Sequence, residues 1–79
     1  MTNIEKYKKI FCETFKVTED SLENLKYQDN PEWDSVGHMF LIDALEKEFD
    51  IMMEAEDIIN LSSYKKGIEI LKDSYQVDL

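Results

Sequence analysis

The chain has 79 residues, 43% of them hydrophobic, and a formal net charge of −9. That is room for one small domain, expected over residues 1–79, with too much apolar content for a disordered chain. Two glycines and one proline are too few for the turns of an all-β fold, and such acidity excludes electrostatic binding to nucleic acid phosphates. The charge is concentrated. Residues 18–57 hold 13 acidic side chains and two lysines, so the middle of the chain should attract basic protein surfaces. Cys12 is the only cysteine, which rules out an intrachain disulfide and a zinc cluster and suits a reducing compartment. The opening MTNIEKYKKIF has no apolar signal region and no run could span a bilayer, so the expectation is a soluble, cytoplasmic monomer without membrane insertion.

Asn3 to Phe15 reads as a helix. Ile4, Tyr7, Phe11 and Thr14/Phe15 recur at three- and four-residue spacing and form one apolar stripe, with Asn3 or Thr2 as cap. Cys12 lies off the stripe's centre, as a small semi-buried filler does. Val17 to Trp33 has no sustained period. One helical turn after TEDS, capped by Thr18 or Ser21, fits there, and Val17, Leu22, Leu25, Tyr27 and Trp33 can pin the segment to a core. A connection of this length in a small domain is uncommon and is often functional.

Asp34 to Asp50 carries the strongest helical pattern. Asp34 fits the N-cap, Asn30 and Pro31 break the chain before it, and His38, Leu41, Ile42, Leu45 and Phe49 share a core face. Trp33 and His38 are spaced for a staple-like contact across the helix start. Ile51 to Ile59 allows one or two helical turns, with Met53, Ile58 and Ile59 apolar. The last helix runs from about Ser63 to Tyr75, with Ser62 as cap and Tyr64, Ile68, Leu71 and Tyr75 as stripe; Gly67 would let another helix approach closely. The predicted fold is all-α: a small four-helix bundle of three main helices and one short one, with a long loop between helices one and two.

The middle helix has a second apolar feature. Val36 and Phe40, four apart, point away from the core face, Met39 lies at the boundary, and Asp43 and Glu46 flank them. A large outward aromatic beside Val and Met is either folded under the long loop or a partner-binding patch that acidic neighbours would steer.

Ser35, at the start of that helix, has three readings. As a capping residue it needs no further role, because Ser and Asp are common at helix starts. As a nucleophile with His38 as base it lacks a strand-turn-helix elbow and an oxyanion hole, which speaks against an enzyme. As an attachment point it offers an exposed hydroxyl, free backbone N–H groups for a phosphodiester, no bulk at Gly37 and a docking surface nearby.

Size, acidity, helix order and the run DSVGHMFLIDALEKEFDI together resemble the acyl carrier protein family, which includes peptidyl and D-alanyl carriers. The resemblance covers nearly the whole chain. In the family an Asp-Ser-Leu motif opens the second helix and its serine carries 4′-phosphopantetheine; Asp34 and Ser35 match it. LEKEFDI from Leu45 is similar to the Leu-Glu-x-x-Phe-x-Ile end of that helix, and LSSYKKGIEIL from Leu61 looks like the opening of the last one. The resemblance implies a non-catalytic carrier with Ser35 as covalent cofactor site, flanked by Asp34 and Gly37, and with Val36, Met39, Phe40, Asp43 and Glu46 meeting partners. Those partners would be a phosphopantetheinyl transferase, an acyl- or aminoacyl-loading synthetase, and downstream synthases or transferases, in fatty acid, polyketide-like or surface-molecule biosynthesis. Val36 replaces the family's usual leucine. Gly37 and Phe40 stand where fatty-acid-synthesis carriers usually have acids, and Lys47 interrupts the acidic row, so WDSVGHM looks more like stand-alone carriers of specialised pathways. Ile51, Met53, Ile58 and Tyr64 are either ordinary core or the lining of a groove for the arm. An acidic helical adaptor that binds through Val36 and Phe40, with Ser35 only capping, is the alternative from another class.

Overall fold

The computed structural model describes all 79 residues, Met1–Leu79. Four α-helices follow in order: α1 (Asn3–Phe15), α2 (Ser35–Phe49), α3 (Ala55–Asn60) and α4 (Tyr64–Tyr75), with a 3-10 helix at Glu19–Asn24 in the long connection. The expected all-α bundle with three main helices and one short one is present, and the connection contains more structure than the single turn expected of it.

Each main helix starts where a side-chain oxygen meets a free backbone amide. Thr2 and Glu5 form a reciprocal capping box at α1. Asp34 accepts from the Gly37 amide at α2 and Ser63 from the Lys66 amide at α4. The cap of α4 is therefore Ser63, not Ser62. The reason is pairing distant in sequence: the Ser62 carbonyl accepts from the Tyr27 amide at 2.9 Å, while the Tyr64 amide donates to the Leu25 carbonyl at 3.0 Å. These bonds stitch the long connection to the start of α4 and leave Ser63 facing the first turn.

The core is aromatic. Phe11 sits among Tyr7, Phe15, Trp33 and Tyr64 with ring centroids 4.7–5.7 Å apart, and Trp33 stacks on Phe15 at 4.6 Å. Leu22, Leu41, Ile42, Leu45, Leu61 and Leu71 close around them. The Tyr7 hydroxyl donates to the Tyr64 carbonyl at 2.7 Å, so the one polar atom of that ring is satisfied where water is excluded. A Cβ on Gly67 would lie 2.1 Å from that hydroxyl. Gly67 thus makes room for the Tyr7 side chain reaching from α1 to α4 rather than for a close approach of the helix backbones. On α4 the inward set is Tyr64, Gly67, Ile70 and Leu71; Ile68 and Tyr75 are half-buried, so the stripe is turned toward Ile70 relative to the expected one. Phe49 is likewise half-buried rather than core. Cys12 is half-buried, and burial with nearby Glu19 and Glu13 pushes its thiol pKa up, away from reactivity.

Helix α3 differs from the others in having no buried residue. Polar ties hold it. The Tyr75 hydroxyl donates to Asp57 at 2.7 Å and accepts from the Glu54 amide at 2.8 Å, and the Ile58 carbonyl is bonded to His38. No helix is long and apolar enough to cross a membrane.

Candidate functional site at the start of α2

Ser35 is the first residue of α2 and its side chain is exposed. Asp34 before it has extended backbone, and its carboxylate takes the Gly37 amide at 2.8 Å while its carbonyl takes the His38 amide at 2.8 Å. The amides of Ser35 and Val36 donate to no group of the chain. Two free N–H groups at the positive end of a helix dipole suit a phosphate ester on the adjacent hydroxyl. Residues present here therefore fit a phosphodiester-linked group, with the Ser35 oxygen as the atom of attachment and the Ser35 and Val36 amides as donors.

Gly37 does something other than leave space beside Ser35. It is buried, and a Cβ there would stand 1.9 Å from the Glu32 carbonyl oxygen. Glycine lets the 30–34 segment lie against the first turn of α2 and so fixes the turn that presents Ser35. Its i, i+4 spacing to Leu41 and Leu45 put it on the core face; that signal was in the sequence.

His38 and Trp33 form more than a staple. The Trp33 indole N–H donates to His38 Nδ1 at 2.9 Å, and the rings lie nearly parallel, 13° apart. With Nδ1 accepting, Nε2 carries the proton and donates to the Ile58 carbonyl at 2.7 Å. Both ring nitrogens are committed. His38 has no free lone pair to take a proton from Ser35, so the pair cannot act as nucleophile and base in this arrangement.

Beside Ser35 an open groove of about 400 Å³ is lined by Tyr27, Ser35, His38, Met39, Ile58, Ile59, Leu61 and Ser62. Of the four residues considered for a groove lining, only Ile58 takes part; Met53 and Tyr64 are buried and Ile51 is half-buried elsewhere. Tyr27, Ile59, Leu61 and Ser62 were missed as site residues. Ile59, 77% exposed, was legible only as one apolar residue too many for a six-residue helix, and Leu61 and Ser62 gave no signal.

Val36, Met39 and Phe40 stand outward as the spacing predicts, at 61%, 55% and 65% exposure. Phe40 is not folded under the long connection. Asp43 is exposed but pairs with Lys47 at 3.1 Å, which contributes little to stability in water and offsets the charge it could offer a partner. Glu46 faces elsewhere. Its carboxylate accepts from the Met53 amide at 2.9 Å and anchors the segment after α2. It is half-buried.

An unactivated serine on a helix start, an apolar groove at its side and an exposed apolar patch one turn away are features that suit a carrier-type domain. Comparison with known proteins agrees. No family model matches the chain, but it is 35% identical over 75 residues to the acyl carrier protein of Buchnera aphidicola subsp. Schizaphis graminum, a match covering 92% of this chain and 95% of that protein. The chain belongs to the acyl carrier protein family.

Proposed function

We propose that this chain carries an acyl or aminoacyl group on a 4′-phosphopantetheine arm attached to Ser35. The observation that carries the reading is the exposed Ser35 hydroxyl beside two unpaired amides at the mouth of an apolar groove. When bound, the arm supplies a terminal thiol that holds the cargo as a thioester. The chain's own residues do the rest. Ser35 offers its oxygen; attachment forms the Oγ–P bond as the pyrophosphate linkage of coenzyme A breaks and adenosine 3′,5′-bisphosphate leaves. The serine proton leaves to the transferase, because His38 is committed to Trp33 and Ile58. Asp34 and Gly37 hold the turn, and the Ser35 and Val36 amides offset the phosphodiester charge.

Val36, Met39 and Phe40 form the surface on which the transferase, the loading synthetase and the downstream synthase or transferase would dock in turn, with Asp43 at its edge. Tethering raises the local concentration of the cargo at each of them. The apolar outer face of α2, with Phe40 in place of an acid, favours a specialised pathway, such as surface-molecule synthesis with a D-alanyl or peptidyl type of cargo, over housekeeping fatty acid synthesis. The same exposed patch also supports an adaptor reading in which Ser35 only begins the helix. Incubating the purified protein with coenzyme A and a broad-specificity phosphopantetheinyl transferase separates the two. The carrier gains the mass of one arm, and an unchanged mass leaves the adaptor.

A further inference from the structure

The groove beside Ser35 has a closed floor. Behind its lining residue His38 lies Trp33, fully buried and stacked on Phe15, with Phe11 meeting it edge-on. Tyr27 meets both the His38 and Trp33 rings edge-on at 5.6 and 6.3 Å. Two hydrogen bonds run in series: the Trp33 indole, just before α2, donates to His38, and His38 in turn bridges from α2 to the Ile58 carbonyl of α3. The other three concave regions of the molecule lie on other faces, and none is lined by Trp33, Phe11, Phe15 or Tyr64.

We propose that the cargo is a short acyl or aminoacyl group that stops in the groove, and that Trp33 and His38 are the residues that keep a longer chain out of the space between α2 and α3. The inference rests on the carrier reading of Ser35. A long apolar chain gains by leaving water. To pass the floor it must part His38 from Trp33 and leave the indole N–H without a partner where no water reaches it. It must also displace rings packed at interior density. A short group meets Met39, Ile58, Ile59 and Leu61 without disturbing anything, and the Ser62 hydroxyl on the rim suits an amino or hydroxyl substituent.

The test uses the wild-type chain. A broad-specificity transferase loads it from acetyl-, butyryl-, octanoyl- and dodecanoyl-coenzyme A, and intact mass verifies each product. Thermal unfolding and the emission of Trp33, the sole tryptophan, are then compared. The expected result is a melting temperature that does not rise beyond the butyryl form and an emission maximum unchanged along the series. A melting temperature that climbs with chain length, by about 3–6 °C per buried methylene, or a shifted Trp33 emission in the dodecanoyl form, overturns the proposal. Failure to load from any donor is a different outcome; it removes the carrier reading and this inference with it. In His38→Ala, provided circular dichroism shows it folded, the dodecanoyl form is expected to melt above the acetyl form; identical melting would take the excluding role away from His38.

Discussion

Replacing Gly37 by alanine sets two effects of opposite sign against each other. Alanine is favoured over glycine within a helix by about 0.8–1 kcal/mol, so an open position would gain stability. Here the new Cβ would stand 1.9 Å from the Glu32 carbonyl oxygen, whereas ordinary contact begins near 3.4 Å. The obstacle is main chain, and it cannot swing aside. The Glu32 amide is held by the Asn30 side chain at 2.7 Å, the Trp33 amide by the Asn30 carbonyl at 2.9 Å, and Trp33 itself is fully buried. Overpacking against a fixed neighbour costs about 1–3 kcal/mol or more. Displacing the first turn also weakens the bond from the Gly37 amide to Asp34, a cap worth about 1 kcal/mol. The clash wins, with a net loss of about 2 kcal/mol, or about 8–16 °C in melting temperature for a domain of this size. Far-UV circular dichroism melts of the two proteins measure it. An unchanged or higher melting temperature would refute the reasoning and restore the view that Gly37 faces open space beside Ser35.

Other substitutions probe the remaining parts of the site. His38→Ala strips the Trp33 indole and the Ile58 carbonyl of their partners and is expected to cost about 2–4 kcal/mol in urea unfolding; a loss below about 0.5 kcal/mol would show that these bonds hold nothing. Phe40→Glu should leave stability within about 0.5 kcal/mol while lowering kcat/KM of the modifying transferase roughly ten-fold; a large fall in melting temperature would place Phe40 in the core. Tyr7, Tyr64 and Tyr75 all have their pKa pushed up, by burial first and in Tyr75 by its bond to Asp57 as well. The unfolded chain therefore releases these protons near pH 10 while the folded one keeps them. Stability is kept below that pH and lost above it, and Tyr7→Phe, removing the most deeply buried hydroxyl, should flatten the alkaline fall seen in urea titrations between about pH 9 and 11.

Much of this was legible because it is local. Thr2, Asp34 and the three- and four-residue spacing of Tyr7, Phe11 and Phe15 or of Leu41 and Leu45 specify two helices from neighbours a turn apart. The outward Val36–Phe40 pair follows from the same period. What escaped depends on partners far along the chain. Ser62 loses the cap to Ser63 because its carbonyl pairs with Tyr27, and the Glu46 carboxylate takes the Met53 amide beyond the end of its own helix. The groove draws residues from the long connection, α2, α3 and the turn before α4, so no single window of sequence contains it. Trp33 and His38 were paired correctly by spacing, but only the third partner, the Ile58 carbonyl, fixes the imidazole tautomer and removes His38 as a base.

Ser35 and Ser62 share one groove, so the position of the modification is the sharpest test of the central claim. The wild-type chain, Ser35→Ala and Ser62→Ala are each treated with coenzyme A and the transferase, and the products are read by intact mass and by fragmentation of the modified peptide. One arm is expected on wild type and on Ser62→Ala, located on Ser35, and none on Ser35→Ala. An arm that persists on Ser35→Ala, or a wild-type chain that never gains one, would contradict it.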